Sequence, residues 1–132
     1  MKLEGFGIFV QDMPAMIRFY RDVLGFDIKE SEDTDNVYLE KDGTLFLFYG
    51  RQDLEKMTGR SFNYAQGVNG HFEMALGVEN YAAVDTTFAA VVAGGGQVVM
   101  VPTTEPWGQR TCFIADPEGN VIEIGSFNKG DA

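Results

Sequence analysis

The chain has 132 residues, of which 45% are hydrophobic and 23% are charged. These proportions are typical of a single globular domain with a buried core, and they exclude a disordered chain. The net charge of −10 argues against nucleic-acid binding, because phosphate contacts need clustered Lys and Arg. The single cysteine, Cys112, excludes an internal disulfide and a cysteine-rich zinc module.

The sequence contains no apolar stretch that approaches the length of a membrane span, and no leader is visible before the first predicted strand. We therefore expect a cytoplasmic protein that does not contact a membrane. Cys112 falls on a predicted strand, where packing in the core is its expected role. As a nucleophile it would need a neighbouring base, and His71 is the one histidine in the sequence.

The first half of the chain predicts one strand, one helix and three short strands. Alternating residues indicate a strand at 3–10. Apolar residues at three- and four-residue spacing then indicate a helix between Asp12, a suitable N-cap, and Gly25, a suitable C-terminal residue. The three short strands are predicted at 26–32, 36–41 and 44–49.

The second half of the chain predicts the same order of elements. A polar, glycine-containing linker ends near residue 69, with one helical turn expected at "DLEKM". "HFEMALGV" at 71–78 then predicts a strand, and the next helix is expected between Asn80 and the "GGG" at 94–96. Three further strands are predicted in "QVVMV", "RTCFIA" and "NVIEI".

Two short sequence echoes support an internal repeat. "VQD" at 10–12 matches "VEN" at 78–80, and "DGTLFLF" at 42–48 matches "EGNVIEI" at 118–124. Similar units normally stack to bury a shared core, and the sheet face opposite each helix is then free to bind a ligand. We predict an α+β fold of two β-α-β-β-β modules: module one 1–50, linker 51–69, module two 70–127 and tail 128–132.

Two segments carry a family resemblance: "FYRDVLGF" at 19–26 and "FIADPEGNVIEI" at 113–124. They resemble the helix-to-strand junction and the final hairpin of the glyoxalase/bleomycin resistance protein/dioxygenase superfamily, the vicinal oxygen chelate proteins. The resemblance covers 1–127 as one domain and implies a cup-shaped, eight-stranded mixed sheet, usually in a dimer. It implies no particular chemistry, because the family includes lyases, isomerases, ring-cleaving dioxygenases, thiol transferases and metal-free drug-binding proteins.

Metal-dependent members of that family take their ligands from the first and last strands of each module. The resemblance places two of these positions at Glu73 and Glu123. The internal repeat maps Glu73 onto Gly5 and Glu123 onto Leu47, or onto Phe46 if the register differs by one residue. None of the three first-module residues can coordinate a metal through its side chain, whereas catalytic sites usually need at least three protein ligands.

We therefore predict no resident metal and no cofactor. The alternative is a weakly held divalent ion on Glu73 and Glu123, with His71 as a third ligand. Alternate residues of a strand share a face, which would put His71 on the side of Glu73. The simpler interpretation is that His71 lies at the rim or in the entry turn of the strand and forms local hydrogen bonds.

Without a metal, two neighbouring carboxylates raise one another's pKa unless a cation lies between them. Arg110 would supply that cation if it faces the same side as Glu73 and Glu123, either as a structural ion pair or as an anchor for a ligand. Trp107 and Tyr49 are expected at the rim, where an aromatic ring could stack on a flat ligand.

We expect a homodimer that binds a small organic molecule, with ligand contacts from Glu73, Glu123, Arg110, Trp107 and Tyr49. The negative charge favours a cationic or amine-bearing ligand. The alternative is a divalent-metal-dependent lyase, isomerase or dioxygenase that uses Glu73 and Glu123. A regulatory module that senses a metabolite is a third class consistent with the sequence.

Overall fold

The computed structural model describes residues 1–131. The chain divides into two compact units: unit 1 is Met1–Tyr64, and unit 2 begins at Ala65. Each unit contains one mixed sheet, of three strands in unit 1 and of four strands in the described part of unit 2. Over the described range, no helix has the length and apolar character needed to cross a membrane.

All of unit 1 is described, and it forms three strands and two helices. In chain order these are β1 (Gly5–Val10), α1 (Met13–Arg18), β2 (Asn36–Lys41), β3 (Thr44–Gly50) and α2 (Arg51–Thr58). Helix α1 continues directly into a π-helical segment, Phe19–Val23. The strand order is β1-β3-β2, with β3 parallel to β1 and antiparallel to β2.

The core of unit 1 forms where α1 and its extension pack on the sheet. Asp12 caps α1, since its Oδ1 accepts a hydrogen bond from the Ala15 N–H at 3.1 Å. Tyr20 follows α1 and is fully buried. Its ring lies edge-on to Phe26 and Phe48, with centroid distances of 5.4 and 5.0 Å. Such aromatic contacts add to the stabilisation that comes from area burial.

The strand predicted at 26–32 does not form, so the described chain has seven strands and an eight-stranded sheet is not confirmed. Phe26 and Ile28 are buried in alternation, which is the pattern that predicted a strand. Their N–H groups, however, donate locally, to the carbonyl oxygens of Tyr20 and Phe26, both at 2.8 Å. Side chains in this segment are therefore buried in alternation although the segment lacks the inter-strand hydrogen bonds that define a sheet.

The segment after β3 is helical for longer than the single turn expected at "DLEKM". Helix α2 has eight residues, and Gly59 caps its C-terminus. Tyr64 ties the following loop to the helix, because its hydroxyl donates to Glu55 Oε2 at 2.7 Å. The Arg51 guanidinium lies 4.4 Å from the centre of the Tyr64 ring. These contacts make the first part of the predicted linker a component of unit 1.

Unit 2 has the predicted β-α-β-β-β order. Its elements are β4 (Asn69–Gly77), α3 (Tyr81–Ala93), β5 (Gln97–Thr104), β6 (Arg110–Ala115) and β7 (Asn120–Ser126). The strand order is β4-β7-β6-β5, and β4 is parallel to β7. Asn80 caps α3 as predicted, with its Oδ1 accepting from the Ala83 N–H at 2.9 Å. Helix α3 contacts β5, β6 and β7.

The turn between β6 and β7 is held by a buried carboxylate. Asp116 is fully buried, and its Oδ1 accepts from the N–H groups of Glu118 and Asn120 at 2.9 and 3.0 Å. Its Oδ2 accepts from Asn120 Nδ2 at 2.9 Å. Gly119 has a positive φ of 85°, and a Cβ there would lie 1.9 Å from the Gly67 carbonyl oxygen. The "DPEGN" sequence therefore fixes both the turn and the loop packed on it.

Candidate functional site

The two carboxylates singled out by the sequence lie on one face of the unit 2 sheet. The β4–β7 register places Glu73 beside Val121 and Ala75 beside Glu123. Residues paired in this way point to the same side of a sheet. The opposite side, which contacts α3, carries fully or almost fully buried Ile122 and Ile124. We name the side away from α3 the carboxylate face; its residues on β4, β6 and β7 are Glu73, Ala75, Gly77, Thr111, Phe113, Ala115, Val121, Glu123 and Gly125.

Strand register also supports the internal repeat. In unit 1, β1 is parallel to β3, with Gly5 beside Leu45 and Gly7 beside Leu47. In unit 2, Glu73 lies beside Val121 and Ala75 lies beside Glu123. If Glu73 corresponds to Gly5, as the internal repeat predicts, this register makes Glu123 correspond to Leu47. The alternative, Phe46, lies on the other side of the sheet, where it is buried against the Tyr20 ring.

The residues present do not fit the donor set of a catalytic metal site. Across residues 1–131, no three His, Cys, Asp or Glu side chains lie close enough together to hold an ion. Gly5 and Leu47, at the unit 1 positions, have no donor atoms in their side chains. A Cβ at Gly5 would lie 2.9 Å from the Leu45 carbonyl oxygen, so a ligating side chain there would force the strands to shift.

His71 lies in an irregular part of β4. The pairing with β7 jumps from Asn69 directly to Glu73, which leaves residues 70–72 outside the regular ladder. His71 is exposed. The alternation that would put His71 on the side of Glu73 therefore does not carry through this segment.

Glu123 is held by a neighbouring hydroxyl that the sequence analysis missed. Thr111 is almost fully buried, and its Oγ1 lies 2.9 Å from Glu123 Oε2. The same hydroxyl lies 3.3 Å from the Ile124 carbonyl oxygen, which makes the carboxylate its nearer acceptor. Thr111 therefore orients one oxygen of Glu123, Oε2.

The pKa of Glu73 is raised above the usual value of a glutamate. Partial desolvation on the sheet is the larger cause, and the negative charge of Glu123 is the second. The side chain of Glu73 is nevertheless exposed, so it is accessible to solvent and to a ligand. This pair has the mutual repulsion expected of two carboxylates that lack a cation between them.

We expect Glu123→Gln to lower the pKa of Glu73 part of the way towards the usual value. Carbon-detected NMR titration of the Glu73 carboxyl measures this directly. Glu79→Gln, a charge change outside the carboxylate face, is the matched control and should leave the midpoint of Glu73 unchanged. An unchanged Glu73 midpoint in Glu123→Gln would show that the two carboxylates do not interact.

The raised pKa of Glu73 also makes the stability of the fold depend on pH. Because the folded chain raises the pKa of Glu73, the folded state holds this proton more tightly than the unfolded state does. Stability therefore falls as the pH rises from the usual to the raised pKa. Glu73→Gln should accordingly raise the melting temperature at neutral pH but not at pH values below the usual glutamate pKa.

Arg110 does not join the two carboxylates as predicted. Its guanidinium instead pairs with Asp85 of α3, with Nη2 and Nε lying 2.7 and 3.0 Å from Oδ1 and Oδ2 respectively. Its Nη1 donates to Thr104 Oγ1 at 2.9 Å. Arg110 lies on the α3 side of β6, together with Cys112 and Ile114. The role expected for Arg110 required it to face the same side as Glu73 and Glu123, and this condition is not met because Asp85 of α3 supplies the nearer carboxylate.

Trp107 and Tyr49 lie in different units. Trp107 is 63% exposed in the loop between β5 and β6, and its Nε1 donates to Gln109 Oε1 at 3.0 Å. Tyr49 is partly exposed on β3 of unit 1, beside Phe9 of β1 and Asn36 of β2. Trp107 is exposed and Tyr49 is partly exposed, and contact of either ring with a ligand stays a prediction.

Cys112 is part of the core of unit 2. It is fully buried on β6, and burial is the main cause that raises the pKa of its thiol to about 11. A thiol with a raised pKa and no access to solvent is a poor nucleophile. Cys112 therefore has the packing role that its position on a strand predicted.

Comparison with known proteins agrees with the fold. Residues 2–124 match the Glyoxalase/Bleomycin resistance protein/Dioxygenase superfamily. This match covers most of the chain, and the chain belongs to that superfamily. Comparison with curated proteins found no match.

Solved structures of the same fold come from several bacteria. A glyoxalase/bleomycin resistance protein/dioxygenase family enzyme from Burkholderia phytofirmans PsJN is 26% identical, with a TM-score of 0.81 and coverage of 96% of this chain and 99% of that one. A glyoxalase-related enzyme from Fulvimarina pelagi is 21% identical, with a TM-score of 0.82 and coverage of 96% and 88%. A lactoylglutathione lyase from Agrobacterium tumefaciens is 22% identical, with a TM-score of 0.73 and coverage of 95% and 92%.

Proposed function

We propose that this protein binds a small organic cation on the carboxylate face of unit 2. One observation carries the proposal: Glu73 and Glu123 share that face, and no Lys, Arg or His among residues 1–131 forms an ion pair with either of them. Arg110, the basic residue on the neighbouring strand β6, is engaged by Asp85. An unpaired carboxylate pair attracts a positively charged group.

The surroundings of the two carboxylates suit the organic part of such a ligand. Phe113 lies beside Glu123 on β6, and Val121 lies beside Glu73 on β7. An ammonium group would contact the carboxylates while the attached hydrocarbon covers these apolar side chains. The net charge of −10 adds a long-range field that attracts cations to the molecule.

The donor set does not favour the alternative, a divalent-metal-dependent lyase, isomerase or dioxygenase. Glu73 and Glu123 alone are two ligands, whereas catalytic metal sites usually have at least three from the protein. The family positions in unit 1 are Gly5 and Leu47, which have no donors. A metabolite-sensing module would use the same carboxylate face, and its distinguishing feature would be a protein partner.

Calorimetric titration with benzylamine tests the proposed function. We expect benzylamine to bind at least about tenfold more tightly than benzyl alcohol, which has the same ring but no charge, because the charged group gains roughly 1.4 kcal/mol or more. Glu73→Gln and Glu123→Gln should each weaken benzylamine binding, and lowering the pH through the raised pKa of Glu73 should weaken it as well.

Glu79→Gln is the matched control for this titration and should bind benzylamine as the unsubstituted protein does. Equal affinity for benzylamine and benzyl alcohol would contradict the proposal. So would full benzylamine affinity in a variant that carries both Glu73→Gln and Glu123→Gln.

A further inference from the structure

A glycine at the end of the carboxylate face leaves room for two polar side chains. Gly125 follows Glu123 by two residues on β7 and lies beside Thr111 of β6. A Cβ at Gly125 would lie 2.9 Å from Gln109 Nε2 and 3.1 Å from Thr111 Oγ1. Both polar atoms thus lie over a backbone position that has no side chain of its own.

The orientation of the Gln109 amide is fixed by Trp107. The indole Nε1 can only donate, so the amide atom that it contacts at 3.0 Å must be the oxygen, Oε1. The nitrogen, Nε2, is then directed towards Gly125. Across residues 1–131, no acceptor engages this Nε2 group. Gln109 therefore presents a hydrogen-bond donor whose direction is already set.

Thr111 connects this donor to the carboxylates. Its hydroxyl holds Glu123 Oε2 at 2.9 Å, and its Oγ1 lies over the same Gly125 position as Gln109 Nε2. Carboxylate acceptors and an amide donor thus occur side by side at one end of the carboxylate face. A ligand that matches both must carry a donor group and, a few ångströms away, an acceptor group.

We propose that Gln109 is a specificity-determining residue that donates a hydrogen bond from Nε2 to a carbonyl oxygen of the bound molecule. The inference rests on the proposed function, since the ammonium group of the same molecule contacts Glu73 and Glu123. The ligand class is therefore a small primary amine that also carries an amide or ketone carbonyl. Trp107 acts as a positioning residue, because its indole holds the Gln109 amide in the required orientation.

Two aminomethylacetophenones, whose ketone has no N–H group of its own, provide the probes for this inference. The 3- and 4-isomers keep the ring and the ammonium group of benzylamine and add a carbonyl group at two different positions. We expect the better isomer to bind about threefold to tenfold more tightly than benzylamine, which is the net gain from one hydrogen bond. Calorimetry measures all three affinities on the same protein.

Gln109→Glu is the decisive variant. Its carboxylate can still accept from the Trp107 indole, but it has no N–H group to donate. We expect this variant to bind the better aminomethylacetophenone no more tightly than it binds benzylamine, because the donor to the ketone oxygen is gone. Gln66→Glu, the same substitution at an exposed loop residue, should retain the advantage of the ketone over benzylamine. Gln109→Met is a second variant of similar length without a donor.

The outcomes separate this inference from the function on which it rests. If benzylamine binds but neither isomer binds more tightly, Gln109 does not donate to a carbonyl oxygen of the ligand. The inference then fails while the proposed function stands. The same holds if Gln109→Glu and Gln109→Met both keep the full advantage of the isomer. If benzylamine does not bind the unsubstituted protein, the proposed function and the inference both fail.

Discussion

Gly119→Ala should destabilise unit 2 by about 4 kcal/mol or more, which is the range of exceptional single substitutions. Two effects combine at this residue. Its φ of 85° is a left-handed conformation that side chains disfavour, and its Cβ would lie 1.9 Å from the carbonyl oxygen of Gly67 and 2.9 Å from the nitrogen of Val68. Both neighbours are backbone atoms, so no side-chain rotation can relieve the overlap.

Urea denaturation followed by circular dichroism measures this loss of stability. Gly108→Ala is a matched control, because Gly108 has a φ of 88° but no atom within 4 Å of its would-be Cβ. The Gly108→Ala variant should lose about 1–2 kcal/mol of stability, which is the cost of the left-handed backbone conformation alone. Equal losses in the two variants would show that the contact between Gly119 and Gly67 is unimportant.

Asp116→Ala should lower the free energy of unfolding by about 3 kcal/mol. The carboxylate accepts hydrogen bonds from the N–H groups of Glu118 and Asn120 and from Asn120 Nδ2. Its removal leaves donors in a buried turn without an acceptor, and each such group costs roughly 1–3 kcal/mol. The turn joins β6 to β7, so its loss also loosens the strand that carries Glu123.

The same denaturation experiment tests Asp116→Ala, with two comparisons. Asp27→Ala, in which the lost carboxylate is exposed beside Lys29, should change stability by less than about 1 kcal/mol. Asp116→Asn keeps an acceptor oxygen and should fall between these two. A loss in Asp116→Ala no greater than in Asp27→Ala would contradict the structural role of the turn.

The sequence predicted the fold of unit 2 well because its signals are local. Asn80 as a cap depends on a few neighbouring residues and forms as predicted, and the hairpin at "DPEGN", which carries part of the family resemblance, is held by contacts of the same local kind. The strand predicted at 26–32 depended on long-range pairing instead. Phe26 and Ile28 alternate in burial without forming that pairing, and alternation alone cannot distinguish the two situations.

In the candidate site, too, local patterns could be predicted from the sequence and long-range contacts could not. Period-two alternation placed Glu73 and Glu123 away from their apolar neighbours, and the register of β4 and β7 agrees. The partner of Arg110 could not be predicted, because Asp85 lies 25 residues away on a helix. Thr111 and Gln109 were missed as well. The one signal available was Gly125, a small residue on the same side as Glu123 at the next alternate position.

The packing of β1 bears on the ligand position that the internal repeat predicts in unit 1. The repeat predicts that Gly5 corresponds to Glu73, but Gly5 packs against the Leu45 backbone where a side chain does not fit. The unit 1 strands are therefore adapted to glycine at this position. A single substitution to a ligating residue would not restore a metal donor without moving β1 or β3.

Metal analysis combined with a benzylamine titration tests most directly whether the carboxylate face binds an organic cation without a resident metal. Protein purified without chelator is analysed for metal content and titrated with benzylamine before and after treatment with EDTA. We predict much less than one divalent ion per chain and the same benzylamine affinity in both titrations. One tightly held ion per chain, whose removal abolishes benzylamine binding, would contradict metal-free binding of the cation.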